Sequence, residues 1–541
     1  MQNSIDIGWL DVGVREDSRL AVLDQGRLQK VVAELIDPER QRPSLCVFLG
    51  GKSKDYALQQ LYPLNNIKRH VSDSQIKLRY DIASLGGRQP MLLADGDLPL
   101  LESYSPTKRL QPGAGFPVSW EDHSAAKVLI GLWSRLIFMF TDVVCIFVDD
   151  NAGLERIITF LVACLELGSA SPLARSLLPR VIFVYGTAKE NEDLEMPNTS
   201  YLLRKIQESG HKDLLGLFSG AESVYMSHEE LSNIARFQRL KTTIGEQVDV
   251  VCSHRLEDYA RPNGKHLTAL FHLAFQHTLS DIASPFDIVK ATRKNRPVTK
   301  SVESHLVHYL QIGHTAHVQL HELAPSIASA LFMDHYVPNM FATNPKTVFH
   351  SLYGSSVMQV YRNCQGLWLE CSPIEQAKLV EHHFSNLFKQ LSTKVVSSAE
   401  LRREQLMNQS GLLCRFRTNR ICLYCLLHSA QHILPCGHTL CDRCAQVFGS
   451  PALGLEYQFT IKGCVYCLYQ RPLVVDVLPP TLSPTILAID GGGVRGVIPL
   501  EFLLLVQEHL GPCAIQDVVD LAVGTSSGES GINDDFCHNT C

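Results

Sequence analysis

The 541-residue chain has no apolar stretch approaching the ~20 residues that a membrane helix needs. Its longest apolar runs, 136–140 with 143–148 and 157–165, are broken by Asp142, Asp149, Asp150, Glu155 and Arg156. A basic start followed by an apolar core is also missing, since residues 1–16 are polar and mixed, so no secretory leader is expected. Charge of one sign is scarce: 49 Lys and Arg stand against 55 Asp and Glu, and the net charge of −6 gives no general argument for binding nucleic acid. Internal repeats and low-complexity tracts are lacking too. Cysteine, by contrast, is plentiful. There are seventeen, and seven of them fall between Cys422 and Cys467. Such clustering argues for metal binding in a reducing compartment rather than for a disulfide framework, so a cytoplasmic protein is expected. With 45% hydrophobic and 19% charged residues the composition is that of a globular protein. A single core rarely grows past about 250–300 residues, so several domains are expected.

Residues 1–255 read as α/β. Apolar, β-branched runs at 45–49, 91–94, 143–148, 181–185 and 248–252 predict strands, with helical spacing between several of them, as at 154–167 and 201–217. That alternation predicts a mostly parallel sheet. After the first run comes Gly50-Gly51-Lys52-Ser53, the end of a phosphate-binding loop. A full loop has G-x-x-x-x-G-K-[ST], so that successive amides wrap the phosphates. Here Cys46 occupies the first glycine position. Two readings stay open: a degenerate nucleotide site using Lys52 and Ser53, or a tight turn with a solvent lysine. Asp95 and Asp149 each follow an apolar run, where a magnesium-linked carboxylate can sit.

From 256 to 412 the spacing is mostly helical, as at 265–279, 305–312, 320–333, 374–391 and 397–409. His305, His308, His314, His317 and His321 lie here, but no carboxylate or cysteine accompanies them at a ligand spacing, so they read as surface or packing residues.

The cysteine cluster has the spacing Cys422-x2-Cys425-x10-Cys436-x-His438-x2-Cys441-x2-Cys444-x19-Cys464-x2-Cys467. Each two-residue gap lets a pair of thiolates curl onto one ion, and eight ligands make two closed tetrahedral sites. No position is left for water, so two structural zinc ions are expected, with Cys414, His428 and His432 as alternative ligands. The order resembles the RING finger family, whose central motif is close to Leu434-Pro-Cys-Gly-His-Thr-Leu-Cys441. The resemblance implies a cross-brace: Cys422, Cys425, Cys441 and Cys444 on one zinc, Cys436, His438, Cys464 and Cys467 on the other. It also implies a partner, a ubiquitin-conjugating enzyme or another protein, with Leu423 at an apolar contact position. A purely structural or protein-binding zinc module is the other reading.

Beyond the prolines at 479, 480 and 484, residues 485–489 form a short apolar run, four glycines follow within Asp490-Gly491-Gly492-Gly493-Val494-Arg495-Gly496, and 497–510 carry helical spacing. Strand, glycine loop and helix aim backbone N–H groups at an anion. Residues 521–523 close a second strand before Gly524-Thr525-Ser526-Ser527-Gly528, a G-x-S-x-G turn. Together and in this order, the two pieces resemble the patatin-like phospholipases, with Asp490–Gly496 matching D-G-G-G-x-R-G. The resemblance implies that Ser526 is the nucleophile, that the Gly491, Gly492 and Gly493 amides form the oxyanion hole, that Arg495 steadies the loop, and that the substrate is a lipid or ester.

The same resemblance implies a Ser–Asp dyad, with the aspartate in a downstream D-G-[GA] motif. None lies between Gly528 and Cys541, Glu529 stands where the family has a second glycine, and Asp534 and Asp535 are too close in sequence. Residues after Gly528 read as foreign to the family, and the site as incomplete. The expectation is a patatin-like acyl hydrolase, inactive as this chain, or alternatively a zinc-binding interaction or ubiquitin-ligase protein with a vestigial patatin segment. The architecture is α/β multidomain: a degenerate P-loop-like α/β domain (1–255), a mainly helical region (256–412), a small RING-type zinc finger (413–476) and the start of a patatin α/β domain (477–541). This order resembles large fungal multidomain patatin-like proteins. The strands of that last segment are expected to be left partly uncovered.

Overall fold

The computed structural model describes residues 7–67, 75–98, 101, 104–106, 108–121, 124–149, 151–170, 174–186, 199–208, 214–226, 232–368, 372–479, 481, 483, 485–511, 515–519 and 521–525. The chain divides into two compact units, Met1–Arg402 and Arg403–Cys541.

The first unit is built on a nine-stranded sheet: β1 (Gly8–Val14), β2 (Leu20–Asp24), β3 (Ser44–Leu49), β4 (Ile76–Tyr80), β5 (Met91–Gly96), β6 (Phe116–Pro117), β7 (Val143–Val148), β8 (Arg180–Tyr185) and β9 (Gly220–Tyr225). The order across the sheet is β6-β2-β1-β4-β5-β3-β7-β8-β9. The run β5-β3-β7-β8-β9 is parallel, whereas β4, β1, β2 and β6 join by antiparallel pairs. The sheet is therefore mixed rather than mostly parallel. β3 and β7 are buried along their whole length, as parallel strands covered by helices on both faces must be.

Alternation along these strands divides the core. Val47, Leu49, Val144 and Ile146 face one layer with α1 (Arg27–Ala33), α3 (Ala125–Gly131), the π-helical turn Leu132–Ile137, α4 (Phe138–Phe140), α5 (Asn151–Leu167) and α6 (Thr199–Glu208). Leu267, Leu270, Phe271, Ala274 and Phe275 of α8 (Gly264–Ser280) join that same layer. Cys46, Phe48, Cys145 and Phe147 face the other, covered by α2 (Lys52–Leu61) and α7 (Asn233–Glu257). The expected strand at 248–252 lies inside α7. Its β-branched residues suggested a strand, but Leu240, Ile244, Val248 and Cys252 repeat every four residues and bury one helical stripe on the sheet. Each such side chain contributes about 2 kcal/mol when buried. The tertiary face outweighed local β propensity. The helix expected over 201–217 is α6 followed by a 3-10 turn at Leu214–Gly216, with 209–213 outside the described residues.

Helices α9 (Ile288–Thr292), α10 (Val302–Thr315), α11 (Leu320–His335), α12 (Pro345–Leu352), α13 (Gly354–Asn363) and α14 (Pro373–Thr393) follow. Buried Asp334 ties several of them together. It accepts from Arg293 at 2.6 Å and from the Tyr353 hydroxyl at 2.7 Å. Then come α15 (Ser398–Asn408) and α16 (Ser410–Leu413).

In the second unit, small sheets β10 (His432–Ile433) with β11 (Thr439–Leu440), and β12 (Ser450–Ala452), β13 (Leu455–Ile461) and β14 (Leu473–Asp476), accompany α17 (Asp442–Phe448). The parallel pair β15 (Ile486–Ile489) and β16 (Leu521–Gly524) comes last, with α18 (Val497–Leu510) and α19 (Ile515–Val518) between them. Among the described residues its buried core is Ile489, Leu503 and Ile515, with Leu487, Leu510 and Val519 packed against them. Among the described residues no helix is long and apolar enough to cross a membrane.

Candidate functional site

Two quartets of ligand atoms stand in the second unit: Cys422, Cys425, Cys441 and Cys444, and Cys436, His438, Cys464 and Cys467, each with its atoms within 4.8 Å of one another. The quartets interleave along the chain. A tetrahedral ion with metal–sulfur bonds of about 2.3 Å sets neighbouring sulfurs about 3.8 Å apart. Cys425 Sγ and Cys441 Sγ are 3.8 Å apart. In the other quartet His438 Nδ1 faces inward, 3.3 Å from Cys436 Sγ and 3.5 Å from Cys464 Sγ. Each quartet can hold a metal ion.

Local folding aims these side chains. Leu426 and Leu468, each directly after a Cys-x2-Cys pair, take left-handed φ of 61° and 57°. The turn at the first pair closes with Leu426 N–H donating to Cys422 O at 2.8 Å, and at the second with Cys464 N–H bonded to Tyr469 O at 2.9 Å. Left-handed backbone costs a non-glycine residue about 1–2 kcal/mol, which metal ligation would offset. Between the quartets lies a core that spacing alone did not reveal. The Tyr424 and Tyr466 rings stack at 6.2 Å, Val465 N–H donates to Tyr424 Oη at 3.2 Å, and the Tyr466 hydroxyl donates to Leu423 O at 2.7 Å. Leu423, expected as a partner contact, is fully buried in that core.

Burial raises the Cys422 and Cys444 thiols well above their usual range, while hydrogen bonds from Cys422, Cys441 and Cys444 hold Cys425 well below it. Burial, with the Arg417 guanidinium beside the ring, pushes His438 down to about 4, so the imidazole is neutral and ready to ligate. Cys414, His428 and His432 stay outside both quartets. His432 bonds Asp442 at 2.6 Å, His428 meets Arg443 at 3.3 Å, and Cys414 donates to Gly411 O at 3.5 Å. His305, His308, His314, His317 and His321 belong to no metal-ligating cluster among the described residues.

The glycine loop is the second site. Parallel register pairs Ile486 with Leu521 and Ile489 with Gly524, so both strands end at one edge. There Gly491 N–H donates to Thr525 Oγ1 at 3.1 Å, and Thr525 N–H to Ile489 O at 3.3 Å. Residues 493–496 make a 3-10 turn that leads into α18, with Arg495 exposed. Asp490, Gly492 and Gly493 are exposed. Ser526 and Gly528 lie outside the described residues, as do Glu529, Asp534 and Asp535.

In the first unit, Gly50 and Gly51 turn β3 into α2 beside the end of β7. Gly50 has φ 149°, and a Cβ there would meet Phe147 Cβ at 2.8 Å. The turn borders a cleft of about 280 Å³ lined by Lys52, Asp55, Asp97, Asp149 and Arg156 among others. Lys52 is exposed, and Ser53 Oγ donates to Asp149. Lys54, outside the motif read in the sequence, is a buried cation here, and Asp95 is paired inside with buried Arg79 at 2.8 Å.

Compared with known proteins, the chain matches no family model and no curated protein sequence.

Proposed function

We propose that the chain carries the amino-terminal part of a patatin-like lipid acyl hydrolase domain next to a RING-type zinc finger. The observation behind this reading is the Gly491–Thr525 hydrogen bond of 3.1 Å, which joins the glycine loop to the strand leading into Gly524-Thr525-Ser526. In this reading Ser526 Oγ attacks the ester carbonyl while loop amides stabilise the developing oxyanion, each donor contributing roughly 3–4 kcal/mol. A serine hydroxyl needs a partner base. The resemblance places that base in a D-G-[GA] segment, and none lies between Gly528 and Cys541.

The test is to read the transcript through and beyond the Gly528 codon. A reading frame that continues with glycine at 529, an apolar helix and D-G-[GA] supports the hydrolase, and its product should then be labelled by an alkyl fluorophosphonate unless Ser526 is replaced by Ala. If every transcript ends at Cys541, the hydrolase reading falls for this protein.

The metal quartets favour a second reading, a zinc-stabilised interaction or ubiquitin-ligase protein with a vestigial patatin segment. Four-sulfur and three-sulfur-one-nitrogen tetrahedral sets suit zinc, and neither set leaves a position for a substrate. Zinc-dependent ubiquitin-chain formation that Cys436→Ala abolishes would support it; chain formation unaffected by that change would remove the ligase activity.

A further inference from the structure

A cavity of about 130 Å³ lies among the end of α7, the start of α9 and the start of α12, in the Met1–Arg402 unit. Sites for drug-sized ligands measure about 300–1,000 Å³, and a water takes about 30 Å³, so this one has room for roughly four to six non-hydrogen atoms. Ile288, Val289 and Phe341 give it apolar walls, and Tyr259 adds a second aromatic ring, held edge-on to Phe388 at 4.6 Å. Asp258 and Asp287 also line it, with no lysine, arginine or histidine among the lining residues. One oxygen of each carboxylate is committed. Asp258 Oδ1 accepts from Asn344 Nδ2 at 2.6 Å, and Asp287 Oδ1 accepts from the Val289 and Lys290 N–H groups at 2.9 and 3.1 Å as the cap of α9. Among the described residues the other oxygen of Asp258 has no partner. That of Asp287 has only the Lys290 ammonium, 70% exposed and 3.7 Å away, too loose a pair to hold it. Thr343 lines the same cavity and is only 7% exposed. Its carbonyl accepts from the Tyr336 hydroxyl at 2.8 Å, but its own hydroxyl has no partner among the described residues. A buried hydroxyl is normally satisfied, so this one points to a ligand.

The lining narrows what that ligand can be. Two carboxylates without a cation beside them repel an anion. The metal-ligating groups among the described residues are the two quartets, so these aspartates form no cation cage. A neutral apolar molecule would cover a free carboxylate oxygen and a free hydroxyl without pairing either. We propose that the cavity binds a small primary amine as its ammonium: the N–H groups donate to Asp258, Asp287 and Thr343, and a short hydrocarbon chain lies against Ile288, Val289 and Phe341. Charge-assisted hydrogen bonds supply the specificity, and aromatic walls suit a cation. The site needs neither the metal quartets nor the glycine loop.

The test is calorimetric titration of the full chain with butylammonium, 1-butanol and butyrate, one carbon chain carrying a positive, a neutral or a negative group. A hydrogen bond to a charged group is worth enough to change affinity roughly tenfold or more. Butylammonium should bind more tightly than butanol by that factor, and butyrate should not bind. Asp258→Asn and Asp287→Asn should each weaken butylammonium roughly tenfold, because asparagine still accepts from Asn344 and still caps α9 but carries no charge. Thr343→Val should cost less. No binding of butylammonium, equal binding of butanol, or affinity that both asparagine variants leave unchanged would overturn the proposal. The comparison of the three probes needs no variant, so it decides the matter even where a substitution prevents folding.

Discussion

Lys54 Nζ lies 3.0 Å from Asp97 Oδ1 and 3.8 Å from Asp95 Oδ2, on the buried side of the helix whose first turn exposes Lys52. Burial alone would lower its pKa, but Asp95, Asp97 and Asp55 together raise it, so the ammonium stays charged. Removing Lys54 takes the cation from partly exposed Asp97 and Asp55, while Asp95 keeps Arg79, at a cost of about 1–3 kcal/mol. Lys54→Met should therefore lower the stability of the Met1–Arg402 unit by about that amount in urea unfolding, whereas Lys52→Met should stay within about 0.5 kcal/mol of wild type. Equal effects would contradict the division between a structural and a surface lysine.

His335 supplies a pH dependence. The ring is buried, neither nitrogen has a hydrogen-bond partner among the described residues, and burial with Arg293 and Arg296 nearby pushes its pKa down to about 3. The unfolded ring protonates below about 6.5. Between those values the unfolded state binds a proton that the folded state does not, so stability is full above ~6.5 and falls with pH, by about 1.4 kcal/mol per pH unit. Urea unfolding at pH 5.0 and 7.5 should show a difference that shrinks by about 2 kcal/mol in His335→Leu. A slope identical in the two proteins would refute it.

Metal removal should act on the finger alone. Structural zinc supplies about 10–16 kcal/mol per site in small domains. Calorimetry with and without 1,10-phenanthroline should show a transition lost on chelation and another, from the nine-stranded sheet, that is unmoved. Cys441→Ala should reproduce the loss. A single transition insensitive to the chelator would show that the quartets bind no structural ion.

α18 is apolar on its exposed side as well as its buried one. Phe502 and Leu504 are 69% and 58% exposed, while Leu503 between them is buried. Apolar area of that kind binds anilinonaphthalene sulfonate and drives association. Phe502→Gln with Leu504→Gln should reduce dye fluorescence and light scattering while changing stability by less than about 0.5 kcal/mol. Scattering that persists after both changes would place the association elsewhere.

How much of this was readable from residues alone depended on whether the signal was local. The Cys-x2-Cys pairs announce their geometry because ligand spacing is short, and the strands at 45–49, 143–148 and 181–185 announce theirs because burial on both faces leaves an unbroken apolar run. β1, β2, β4, β6 and β9 carry no such signal. β9 reads Gly-Ala-Glu-Ser-Val-Tyr, while β1 and β4 carry Asp11, Lys77 and Arg79, charges acceptable in a sheet only with distant partners such as Lys108, 2.9 Å from Asp11. Lys54 and Arg417 were invisible for the same reason. Their partners at 97 and 438 are remote in sequence, and only the fold brings them together.

The hydrogen bond between Gly491 and Thr525 joins two segments that are made at different times during synthesis. All nine strands of the large sheet exist once Tyr225 has been made, and both quartets once Cys467 has, so each can form while later residues are still being added. The β15–β16 pair closes last of the described strands. Its first strand and the whole of α18 emerge well before Leu521, and a parallel pair cannot close until its second strand arrives. For that interval the nascent chain carries an apolar helix with no sheet to lie against, a form prone to association.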